Sequence, residues 1–365
     1  MIRSKKIRAG ALQFVLFIGA IIAVLLMAFV MISHSHTLFN KKTDITIAMI
    51  QATDKGLEAS FDQPLEVGMT WELPEQDPLG IETGIQKDYW GLLEKREVTS
   101  KKGKMKFTKI GLVGHRSENR YALYLEDNNR PMVIAGDAKI SGDAFLPERG
   151  IKMGNIQGFG YTKPQLVYGR QQQSNARLPE LNQEVIRQLG QLTGNTPKGN
   201  TISPKKGEII KSSFQEETQI IGGTVVNLEN ISLVGNIMVW ASEQITVQQT
   251  ANLRDVILIA PQINIVDGVM GNFQALASKQ IKVGRNCNLD YPSVLAVQDT
   301  REFEKNGNRQ KQPSLIMEPG SNLSGMVLYM EESDSGGYGA NIQIYETAHV
   351  YGEIYCKGSL ELKGN

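Results

Sequence analysis

The sequence predicts a mainly β protein: an N-terminal transmembrane helix, a small β-rich region, and a C-terminal triangular parallel β-helix with 18-residue turns. Three observations predict it. Ala9 to Ile32 carry no charge, and Gln13 is their one strongly polar residue. Gln244-Ile245-x-Val247 recurs as Gln262-Ile263-x-Ile265 and Gln280-Ile281-x-Val283, each copy 18 residues after the last. Between these copies, apolar pairs step along the chain every six residues. A fixed period of this size marks an architecture of stacked repeats.

Composition narrows the function classes. The 365 residues hold 39 Lys+Arg against 38 Asp+Glu, a net charge of +1, so no general field selects nucleic acid. Two cysteines, Cys287 and Cys356, are too few for a disulfide framework and lack metal-ligand spacing. Four histidines leave little for a His-based metal or acid–base site. No metal, cofactor or catalytic residue is expected, and the chain reads as a non-enzyme.

The first element is the anchor. The 24 uncharged residues exceed the roughly 20 that span a bilayer as a helix. Arg3, Lys5, Lys6 and Arg8 precede them, and the next cations are Lys41 and Lys42. The heavier basic flank stays in the cytoplasm, which places the C-terminal bulk in the periplasm or outside the cell. A cleaved signal peptide is the alternative. Its apolar region is shorter and ends in small residues, whereas this one runs into Met31, Ile32 and Leu38. Residues 1–33 are therefore assigned as basic tail and anchor.

Residues 34–61 are expected to form an amphipathic stem helix. Asp44 is a suitable N-cap, and Ile47, Ile50, Leu57 and Phe61 make an apolar stripe interrupted by Asp54. The run KIRAGALQFVLFIGAIIAVLLMAFVMIS followed by such a helix resembles the stem of type IV pilin-like proteins, particularly PilX-type minor pilins. The resemblance implies a leader-peptidase site between Gly10 and Ala11 and packing of the stem into a filament or pseudopilus. Val15 departs from the Glu that major pilins usually carry five residues into the mature helix.

Residues 62–130 read as a β-rich region, with strand-like runs GLLEKREVT, KMKFTKIGLVG and RYALYLED separated by turn sequences. His115 beside Arg116 reads as a solvated strand end.

The repeat region follows. Residues i and i+2 of a strand face one side. Inward pairs are expected at Ile245/Val247, Ala251/Leu253, Ile257/Ile259, Ile263/Ile265, Val269/Gly271, Ala275/Ala277, Ile281/Val283, Cys287/Leu289 and Ser293/Leu295. The pattern returns at Ile342/Ile344, Ala348/Val350, Ile354/Cys356 and Leu360/Leu362, and an earlier copy, the first coil, occupies 131–147. The β-helix proper is assigned to 224–365, with loops at 299–313 and 331–341. Residues 148–223 are expected to be an insertion containing a short helix from Pro179 to Leu192. The spacing Met132-x-Ile134-x₃-Ala138-x-Ile140-x-Gly142, repeated from Leu315 to Gly325 and Ile342 to Gly352, resembles the polymer-forming bactofilin-type β-helix.

Two functional classes follow. One is a single-pass membrane protein of structural or assembly type, a minor component of a type IV filament or type II secretion-like apparatus. Its partners would be membrane lipid, proteins of the assembly, or further copies of itself. The other is a β-helix that acts on or binds envelope glycans, as hexapeptide acyltransferases or polysaccharide-binding solenoids do. An acyltransferase needs a His general base on the coils. His349 is the candidate, but Thr347 and Tyr351 give it no carboxylate partner. Glycan binding would use polar ladders such as Thr246/Asn264/Lys282 with Tyr338, Tyr345, Tyr351 and Tyr355. The first class accounts for both the stem and the repeat.

Overall fold

A computed structural model describes residues 9–74, 78–114, 121–156, 158–301, 312–331 and 339–364. His115, Tyr338 and most of the two loops expected in the repeat lie outside the described residues. The chain is mostly strand with one long apolar helix, and it divides into two compact units. The first comprises residues up to Asp88 together with Glu94–Val113; the second comprises Tyr89–Leu93 and everything from Gly114.

In the first unit, α1 runs unbroken over Ala9–Ala59, 51 residues. Asp44 therefore lies inside the helix and caps nothing. The uncharged stretch alone gives about 36 Å at 1.5 Å per residue, and α1 is long and apolar enough to act as membrane anchor or signal sequence. Strands β1 (Thr70–Glu72), β2 (Glu82–Trp90), β3 (Leu93–Lys102) and β4 (Met105–Val113) form one sheet in that order. Met49 and Ala52 are buried with Ile81, and Ile45, Ala48, Met105 and Phe107 pack around them.

The buried face of the stem is not the expected stripe. Ile47, Ile50 and Phe61 stay 49%, 37% and 54% exposed, whereas Met49, Ala52, Thr53, Gly56 and Ser60 are buried. The reason is close approach. A Cβ on Gly56 would come within 3.0 Å of side-chain atoms of Thr83 and Val98, so a small residue faces the sheet there; of the expected stripe only Leu57 packs inward, half-buried beside Gly111 of β4. Asp54 pairs with Lys109 of β4.

In the second unit, a small parallel module precedes the main sheet. Met132–Ile134 pairs with Ile151–Met153, Ile140–Ser141 with Val167–Tyr168, and Ala144–Leu146 with both Leu123–Tyr124 and Gln171–Gln173. Ala144, Leu146 and Val167 form its core. Parallel pairing thus recurs at Ile151–Met153, Val167–Tyr168 and Gln171–Gln173, within a stretch expected to be insertion, with one antiparallel hairpin, Asn155–Ile156 with Phe159–Gly160, among them. The helix α2 (Gln183–Gly194) begins after Pro179, because Asn182 accepts a hydrogen bond from Glu184 N at 2.8 Å and caps it.

The main sheet has thirteen strands, all its recorded pairs are parallel, and it starts at Asn200, before the expected boundary at 224. Its register falls into three ladders. One runs Val226, Ile245, Ile263, Ile281, Leu315, Ile342, Leu360. A second runs Ile210, Leu233, Leu253, Gly271, Leu289, Leu323, Val350. The third runs Ile221, Val239, Leu258, Ala275, Leu295, Val327, Ile354. Most of these side chains belong to one continuous hydrophobic cluster.

One face differs from expectation. Val256, Leu258 and Ala260 join that cluster, and Ile257 and Ile259 do not. Asp255 adopts φ +55° at a register shift between Arg254 and Val256. One extra residue in a period of two turns every following side chain over. Ile257 and Ile259 are nevertheless buried, as are Leu276, Val294 and Ala296. Helix α2 packs against these three strands, with Leu189 fully buried and Thr193 Oγ1 donating to Gln298 Oε1 at 3.3 Å.

Candidate functional site

The residues expected to form the repeat core are brought together. Ile245, Val247, Ile265, Ile281, Val283, Ile342 and Ile344 are inaccessible and Ile263 nearly so, all in the one cluster. At the candidate processing site, Gly10 and Ala11 both lie in the first turn of α1.

The outward ladders are polar. Gln244, Gln262 and Gln280 stand in register, as do Thr246, Asn264 and Lys282. Gln244 Nε2 donates to Thr246 Oγ1 at 3.1 Å, and Lys282 pairs with Glu318 at 3.3 Å. His349 heads the strand His349–Cys356, opposite Asn322. Its ring stacks with Tyr351 at 6.1 Å between centroids, and its Nδ1 has no hydrogen-bond partner among the described residues. Tyr351 is exposed; Tyr345 is half-buried with Lys363 near its ring; burial, then Glu126, Cys356 and Glu180, raises the Tyr355 phenol.

Comparison with known protein families, curated proteins and solved structures returns no match. The site must therefore be read from its own chemistry.

The most developed polar cluster lies where the two loops leave the main sheet. Asp299 is buried at the end of Asn288–Asp299. Ser314 Oγ donates to its Oδ2 at 2.8 Å and accepts from Arg301 Nη2 at 2.6 Å. Tyr329 Oη lies 3.2 Å from Asp299 Oδ2 and 3.3 Å from Glu331 Oε2, and accepts from Asn341 Nδ2 at 2.8 Å. Asn341 Oδ1 accepts from Ser359 N at 2.9 Å. Burial alone would raise the Asp299 carboxyl, but the hydrogen bonds from Arg301 and Ser314 outweigh it and hold the carboxyl below its ordinary value. Burial, followed by the charges of Asp299 and Glu331, pushes the Tyr329 phenol up. A phenol so raised is a poor base at neutral pH, and a carboxylate so well satisfied is a poor proton acceptor. The cluster is built to hold its members still: it ties together residues on both sides of each loop.

The loop expected at 299–313 took in Asp299, which the structure instead keeps in the strand and buries; the inward alternation of Leu295 and Val297 is the signal that could have found it. Gln274 was not foreshadowed. It is buried on an outward position, where its Oε1 accepts from Leu92 N and its Nε2 donates to Trp90 O, both at 2.8 Å. Nor was the aromatic group of Tyr121, Tyr124 and Phe145, whose centroids lie 5.3–5.7 Å apart. In the first unit, an open groove of about 680 Å³ on the sheet is lined by Glu72, Glu82 and Glu97 with Lys101 and Lys106. Its mixed charge marks no ligand class.

Proposed function

We propose that this is a membrane-anchored, extracytoplasmic structural protein of an envelope assembly, comparable to a minor pilin-like component of a filament or secretion apparatus. One observation carries the reading. A single helix joins an uncharged, membrane-length segment to a stem that packs Met49 and several small residues inward and leaves the apolar Ile47 and Ile50 exposed. Such a stem has an apolar side free for a neighbouring helix.

The main sheet supports the same reading. Three parallel ladders, with 18-residue steps from Ile245 to Ile281 in one and from Leu253 to Leu289 in another, fit a chain wound into a triangular β-helix, each turn resting on the next. A rigid rod of this kind suits a display or spacing role. The basic flank before Ala9 orients it with its C-terminal bulk outside the cytoplasm.

The test uses the full chain in its own membrane. A reporter active only in the cytoplasm, fused after the last residue, is expected to stay silent. Ile47→Ser with Ile50→Ser is expected to leave the protein abundant and folded but to abolish its cross-links to neighbouring subunits. An active reporter, or unchanged cross-links, overturns the proposal. Loss of function in a stably expressed His349→Ala protein would favour the acyltransferase reading instead.

A further inference from the structure

We draw no further inference here: the strongest candidate, the open rim of the main sheet where Leu360 and Leu362 of the strand Leu360–Leu362 are 41% and 52% exposed, carries nothing, because nothing in the structure shows what covers it.

Discussion

Arg301 grips Asp299 through two parallel hydrogen bonds, Nε to Oδ1 at 2.9 Å and Nη2 to Oδ2 at 2.6 Å. The carboxylate is almost wholly buried and the guanidinium largely so. Removing one charge strands the other, at a cost of roughly 3 kcal/mol. Asp299→Asn is expected to lower stability by about that much at neutral pH. The folded-state value lies below the ordinary 3.8, so the stabilisation is complete above 3.8 and is lost as pH falls through the lowered value. Urea melts at pH 7 and at pH 2–3 should show the gap between wild type and variant closing in acid.

Ile263 lies between Ile245 and Ile281 in its ladder, and Thr246 on the adjacent outward position is half-exposed. Ile263→Asp must bury a carboxyl without a partner and is expected to cost several kcal/mol, on the order of 4. Thr246→Asp should change stability by about 0.5 kcal/mol or less. Thermal unfolding of the two variants separates the faces, and equal losses would refute the assignment.

Ser293, Gly325 and Gly352 are stacked in register at one corner of the sheet. Gly325 has φ +148°, and a Cβ there would collide with the Ser293 carbonyl oxygen. Gly325→Ala is expected to cost at least about 2 kcal/mol, because strained backbone and overlap add. Gly222→Ala is the control, since nothing lies within 4 Å of its Cβ position. Comparable melting temperatures for the two would contradict the stacked corner.

Leu189 is the fully buried residue of α2. Leu189→Ala should cost about 3 kcal/mol by the cavity it leaves. Far-UV circular dichroism should keep its strand signal, since the inner ladders do not depend on α2. A silent Leu189→Ala would mean that the helix does not cover the sheet.

The ladders were readable because a period of 18 leaves a trace in composition: Ile245, Ile263 and Ile281 repeat in sequence and pair in space. The slip at Asp255 left no such trace. Only a positive φ marks it, and Ile257 and Ile259 fit either face because both faces are dry there. The stem was misread for a related reason. Periodicity counts large apolar residues, whereas the sheet selected Ala52, Thr53, Gly56 and Ser60 for closeness. Gln274 escaped because its partners, Trp90 and Leu92, lie more than 180 residues away.

The double covering of Val256–Ala260, Phe273–Ala277 and Ser293–Val297 bears on how the second unit opens. Amides in these stretches have protein above and below, so solvent reaches them only after α2 has lifted or the ladders have come apart. Strands at the rim of the sheet, such as Asn200–Thr201 and Leu360–Leu362, have a neighbour on one side only. Hydrogen exchange should therefore advance from the rims inward and reach the middle strands last. The residue that turned two isoleucines away from the core has, through the helix that covers them, made their strand and its two covered neighbours the slowest part of the unit to exchange.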